Sequence, residues 1–208
     1  MESVLEVYQR PFDPDFPIVC LDEQLKQVVK EIIEPLSPQP GQKERYDYQY
    51  ERNGTGNIFM VCNPIEGWRM AKVTERRTAI DYAYLLKEIV DNYFVDAYRI
   101  TIVQDNLNTH SPASLYKAFP PEEARRILNR LDFCYTPKHG SWLNMAEIEL
   151  SVLSRQCLNR RIPDLTTLTQ EVKAWVKQRN GQDTWIDWRF TTEDARLKLP
   201  QLYPSIQT

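Results

Sequence analysis

Two short apolar runs in this chain stop on a carboxylate: Ile18-Val19-Cys20-Leu21 ends at Asp22, and Ile100-Thr101-Ile102-Val103-Gln104 ends at Asp105. Unbroken apolar runs of this length predict strands, and the second suits a strand buried on both faces. Residues 23–33 predict a helical or irregular excursion, closed by a loop at Pro35, Pro38 and Pro40. Residues 46–51 alternate tyrosine with polar residues and meet Asn53-Gly54, a hairpin signal, before residues 57–63 resume as an apolar strand. Pro64-Ile65-Glu66-Gly67 predicts a second turn into a strand over 68–73. The first half of the chain thus reads as three antiparallel strands.

Helical spacing follows. Ile80, Tyr84, Leu85, Ile89 and Phe94 place a helix over 78–94, which should cross the sheet and deliver the chain to the strand at 99–104. Beyond Asp105, residues 106–110 predict a turn, 112–119 a short helix, and 121–131 a helix with proline at its first position and Glu122-Glu123 behind it. A short strand over 133–136 and a loop over 137–141 precede an amphipathic helix over 143–158. A further helix over 165–178 ends at Asn180-Gly181, and Thr191-Thr192-Glu193-Asp194 can cap a short helix that stops at Pro200.

Composition adds bounds to this picture. The 208 residues are long enough for one well-buried core, so a single domain over 1–208 is expected. No apolar stretch approaches a membrane span, and the N-terminus lacks the layout of a signal peptide, so a cytoplasmic protein with no membrane partner is expected. Cys20, Cys62, Cys134 and Cys157 form no C-x-x-C pair and read as reduced core residues. The net charge of -3 argues mildly against a nucleic-acid partner, but the average hides an asymmetry. Residues 117–161 carry eight Lys/Arg against five Asp/Glu, so the basic side chains gather in the half that follows Asp105.

Rigidly held carboxylates at the edge of a core are good oxygen ligands for hard divalent cations. A single acid at a strand end is ordinarily a solvated turn or cap residue. The company of Asp105 changes that balance, because Asp105-Asn106-Leu107-Asn108-Thr109-His110 is unusually polar for the exit of a buried strand. A third acid comes from the helix over 143–158, where Glu147 and Glu149 flank opposite sides of the apolar stripe. Small neighbours Ser151 and Ser154 leave more room beside Glu147, yet periodicity alone leaves both open.

Two stretches, Asp105 to His110 and Tyr135-Thr136-Pro137-Lys138-His139-Gly140-Ser141-Trp142-Leu143-Asn144-Met145-Ala146-Glu147-Ile148-Glu149, resemble the catalytic domain of DDE transposases of the mariner superfamily, specifically the bacterial insertion-sequence 630 group. Val19 to Glu23 resembles the strand bearing that family's first aspartate, and Arg52 to Thr55 its following hairpin. The resemblance implies an α/β, RNase H-like fold: a mixed central sheet with antiparallel hairpins and helices on both faces. It implies that Asp22, Asp105 and Glu147 are the catalytic acids and bind two Mg2+ or Mn2+ ions for DNA cleavage and strand transfer at transposon ends. It further implies DNA as partner and a homodimer as working form, with nucleoid association when bound. Candidate DNA contacts are Asn106, His110, Lys138, His139, Trp142, Asn144, Arg155, Arg160 and Arg161.

In one respect the chain departs from that family. Its relatives carry an N-terminal helix-turn-helix region, whereas here the catalytic pattern starts within some 20 residues of Met1. The expectation is that this region is absent and that a separate helix-turn-helix chain finds the DNA. Two other readings stay open at this level: a different RNase H-like nuclease, and a non-enzymatic remnant acting as a dimerising or DNA-bridging module.

Overall fold

A computed structural model describes residues 1–32, 49–182 and 184–200. Its strands are β1 (Ile18–Glu31), β2 (Tyr50–Asn63), β3 (Trp68–Thr74), β4 (Ile100–Gln104) and β5 (Leu131–Tyr135). They form one sheet in the order β3-β2-β1-β4-β5. β1, β2 and β3 pair antiparallel, and β4 and β5 join parallel to β1. The helices are α1 (Glu2–Tyr8), α2 (Ala79–Glu88), α3 (Ala113–Ala118), α4 (Pro121–Leu128), α5 (Met145–Leu153), α6 (Leu165–Asn180) and α7 (Thr192–Lys198). This mixed sheet with helices on both faces is the RNase H-like architecture that the resemblance implied.

Strand alternation sorts the core into two layers. Ile18 and Cys20 of β1, Met60 of β2 and Val103 of β4 face α5, α6 and the helices at the chain's start and end. Val19, Leu21, Phe59 and Ile102 face α2, α3 and α4. By the same alternation Asp22 lies on the α5 face and Glu23 on the α2 face. Both α2 and α7 begin with a full capping box, Thr78 with Asp81 and Thr191 with Asp194. α2 and α5 each end in a turn of wider π-helix, at Ile89–Tyr93 and Ser154–Leu158.

Two expectations need correction. The chain does not leave the sheet after Asp22: β1 runs on to Glu31, paired along most of its length with β2. Its charged outer half has no strand signature of its own. It is held as a ribbon by the partner strand and by the segment after α5, through Val29 N–H on Ile162 C=O at 2.7 Å and Lys26 Nζ on Leu158 C=O at 2.6 Å. Asn53-Gly54 is not a hairpin turn but lies within β2, where Val28 of β1 faces both residues across a register shift. Gly54 has φ +97°, so the left-handed residue that suggested a turn makes a β-bulge instead. α1 is a further element, packed on the core through Val4, Leu5 and Val7. The proline loop at 35–40 and tyrosines 46–48 lie outside the described residues.

Candidate active site

The parallel pairing of β1 with β4 aligns Cys20 with Val103. Two positions further along, each strand reaches an aspartate, so Asp22 and Asp105 stand side by side at the same end of the sheet. Neighbouring strands are about 4.8 Å apart, which brings two carboxylates within strong mutual influence. Glu147 arrives from α5, in its first turn. Asn144 caps that helix by accepting from the Ala146 N–H at 3.1 Å, while its Nδ2 donates to Leu21 C=O at 2.8 Å and Asp22 Oδ2 at 3.2 Å. One buried amide therefore fixes the start of α5 to β1 beside Asp22.

The electrostatics agree with that convergence. Asp22 accepts the Glu23 N–H at 2.8 Å, which favours its ionised form. Burial outweighs this, and with the charges of Glu147, Glu23 and Asp105 it pushes the Asp22 carboxyl up to about 7. Asp105 goes the other way. His110 Nδ1 lies 2.5 Å from its Oδ1 and holds its carboxyl below the usual range. His110 Nε2 lies 2.9 Å from Glu23 Oε2. Burial alone would lower the ring's pKa, but the Asp105 and Glu23 carboxylates outweigh it and push it up to about 9. At neutral pH the ring is thus an imidazolium joining two acids.

A tight box encloses that ring. Tyr82 of α2 packs on it with ring centroids 4.9 Å apart and donates its hydroxyl to Gln104 Oε1 at 2.7 Å. Gln104 Nε2 in turn donates to the His110 C=O at 3.1 Å. Glu23, Gln104 and Tyr82 were not singled out in the sequence. Only the adjacency of Glu23 to Asp22 offered a signal, and strand alternation sends those two side chains to opposite faces.

Glu149, the alternative third acid, is fully buried on the other side of α5. Arg179 of α6 donates to it through Nε and Nη2, both at 3.1 Å, and Arg69 Nε of β3 lies 3.2 Å away. Two guanidiniums saturate its carboxylate, so it ties α5 to β3 and α6. Glu147 is only half-buried, and its charge acts on Asp22.

The remaining candidates separate by location. His110 and Asn144 are 1% exposed and turned inward, so they position acids and offer no surface to DNA. Asn106, Lys138 and the exposed His139, whose φ is +65°, border a cleft of about 610 Å³ that opens beside Asp105. Trp142 is half-exposed and packs against Trp188 and Phe190. Arg155 is exposed beyond the end of α5, whereas Arg160 pairs with Glu171 at 2.5 Å and Arg161 with Glu31 at 2.6 Å.

Among the described residues, no three His, Cys, Asp or Glu side chains are gathered closely enough to hold a metal ion as placed. Asp105 is turned toward His110, and unscreened carboxylates repel. The donors nevertheless fit a hard cation: all are carboxylate oxygens, and Asp22 lies within reach of the charges of Glu147 and Asp105.

Several solved structures share this fold. The Mos1 strand transfer complex is 13% identical with a TM-score of 0.56, over 89% of this chain and 60% of that one. The Mos1 mariner paired end complex with Mn is 16% identical with a TM-score of 0.56, over 88% and 55%. A pre-cleavage Mos1 transpososome gives 14% and 0.55, over 89% and 61%. This chain thus spans less than two thirds of the length of each. No curated protein matches it in sequence. The family model for DDE superfamily endonucleases matches residues 17–169, a span that holds Asp22, Asp105 and Glu147, and the chain belongs to that family.

Proposed function

We propose that this chain is the catalytic core of a mariner-type transposase of the bacterial insertion-sequence 630 group, cutting DNA phosphodiester bonds at transposon ends and joining them to target DNA. What supports the reading is that Asn144 bonds Asp22 and caps α5, whose first turn carries Glu147, beside the strand pair that leads to Asp105. Those three residues would hold two Mg2+ or Mn2+ ions, and such ions would supply the positive charge that favours in-line attack on phosphorus and departure of the leaving oxygen. Asn144 holds Asp22 and the start of α5 in place. His110, backed by Glu23 and Tyr82, holds Asp105 and keeps it ionised.

DNA would approach across the cleft beside Asp105, with Asn106, Lys138 and His139 contacting phosphate and Arg155 available further along, while Arg160 and Arg161 would first have to exchange Glu171 and Glu31 for phosphate. Trp142 is the aromatic available for stacking on a base. Within the same proposal the working form is a homodimer in the cytoplasm, nucleoid-associated when bound.

The test is nicking of supercoiled plasmid by the purified chain with Mg2+ or Mn2+. Asp22→Asn, Asp105→Asn and Glu147→Gln are each expected to reduce nicking to the level seen with EDTA, with circular dichroism unchanged. Full activity in any one variant removes that residue from the site.

A further inference from the structure

Among the described residues, the edge of the sheet at β3 is sealed at one end and open at the other. β3 is the outermost strand, and its antiparallel register with β2 makes successive residues alternate between facing β2 and facing away with both backbone groups. Arg69 faces away: its N–H donates to Asn180 Oδ1 at 3.1 Å and its C=O accepts from Asn180 Nδ2 at 2.8 Å. A side-chain amide from the end of α6 thus stands in for a neighbouring strand. By the same alternation Ala71 and Val73 point N–H and C=O outward, and among the described residues none hydrogen-bonds to them.

These two residues, only half-buried, form the floor of a groove of about 440 Å³. One wall is Glu88 and Tyr93, at the end of α2 and in the π-helical turn that follows it; the other is α6, with Lys173 and Lys177. Lys72 is neutralised by Glu88 at 2.6 Å, whereas Lys173 and Lys177 are exposed and have no ion-pair partner among the described residues. The two lysines are one helical turn apart, about 6 Å along the axis, close to the roughly 6.7 Å between alternate residues of a strand. Sheet edges are usually hidden or blocked, and Asn180 blocks the Arg69 end of this one.

We infer that the open β3 edge is a docking groove for an extended acidic segment of a partner protein, which adds to the sheet as a further strand. Its backbone would pair with Ala71 and Val73, and acidic side chains two residues apart would meet Lys173 and Lys177. A nucleic-acid backbone fits less well, because phosphate offers acceptors only and leaves the outward C=O groups of Ala71 and Val73 without donors.

The probe is a fluorescent eight-residue peptide alternating valine with glutamate, titrated against the full chain, beside a lysine-for-glutamate version. Expected are saturable binding of the acidic peptide alone, slowed amide exchange at Ala71 and Val73, and affinity lowered about tenfold by Ala71→Pro, which deletes an outward N–H without touching the β2 ladder. Lys173→Glu with Lys177→Glu should also weaken binding, while metal-dependent nicking stays at the wild-type level in every variant. Four results would overturn the inference: no binding, binding indifferent to Ala71→Pro, displacement of the peptide by duplex DNA, or self-association of the chain that Ala71→Pro abolishes. Far-UV circular dichroism and a melt of Ala71→Pro confirm that the variant is folded, and Val73→Pro repeats the edge test at the second outward N–H.

Discussion

Asp22 sits in an environment far from that of a free side chain. Its carboxyl, pushed up to about 7, keeps in the folded chain a proton that the unfolded chain releases near pH 4. The folded state therefore loses stability as pH rises from about 4 to about 7, and the loss is complete above that. Asp22→Asn removes the titration while keeping an acceptor for the Glu23 N–H. Without metal the variant is expected to melt higher than the parent at pH 8, by an amount on the order of 1–3 kcal/mol, and the gap should close by pH 4. Adding millimolar Mn2+ should reverse the order, raising the parent's melting temperature but not the variant's. A gap of the same size at both pH values would show that repulsion at Asp22 is not its cause. Residue identity alone pointed to Asp22 and Asp105, since both follow apolar runs, but the partner that sets Asp105's charge state was legible only as a histidine in a polar turn. The four residues between Asp105 and His110 fold back so that His110 meets its own motif's aspartate, and Tyr82 and Gln104 fix it there.

Among elements, the turns and the outer half of β1 carry the lesson. Asn-Gly and Pro-Ile-Glu-Gly both announce left-handed backbone, and both glycines have it: Gly54 at φ +97° and Gly67 at +69°. Only the second is a turn. What separates them is the partner strand, because β1 continues past Gly54 and leaves the extra residue no role except a bulge. The consequences of substitution differ accordingly. A Cβ on Gly54 would meet nothing nearer than Val28 at 4.0 Å, so Gly54→Ala should cost only the strain of its φ, about 1 kcal/mol. A Cβ on Gly67 would sit 2.5 Å from the Thr184 carbonyl oxygen, backbone that cannot rotate aside. Urea titration should therefore find Gly67→Ala clearly more destabilising than Gly54→Ala, and equal midpoints would contradict the packing of the 184–186 segment against this turn. The helices were more legible, since apolar periodicity and caps are local properties: the spacing in α2, the proline opening α4 and the capping box of α7 are all visible without the fold. α1 was not, because only three of its residues, Val4, Leu5 and Val7, are buried, and a seven-residue helix owes its existence to that contact rather than to propensity.

At the scale of the whole molecule, charge clusters join elements distant in sequence. Arg126 of α4 makes paired hydrogen bonds to Asp91 in the turn after α2 and to Glu123, and Lys87 also bonds to both acids. The two basic side chains hold the Asp91 carboxyl below its usual range and Glu123 at about 2. Depressed carboxylates stabilise the fold at every pH above their unfolded value and lose that contribution as pH falls through the folded one. Arg126→Ala should thus lower the melting temperature at pH 7 and flatten the acid loss between about pH 4.5 and 2, and parallel stability curves for the two proteins would exclude the network as its source. By itself the sequence determined the order and kind of most elements, the two strand-borne aspartates and the basic half of the chain, because apolar periodicity, caps and composition act over a few neighbouring residues. The tertiary structure decided everything that needs two distant segments at once. It buried Glu149 between two arginines while leaving Glu147 half-buried, lengthened β1 through its pairing with β2, and turned His110 inward onto Asp105 and Glu23. Among the described residues it also left Ala71 and Val73 open at the sheet edge while closing Arg69. Contacts of this kind depend on strand register and on which helix face meets the sheet, and no local pattern of residues encodes either.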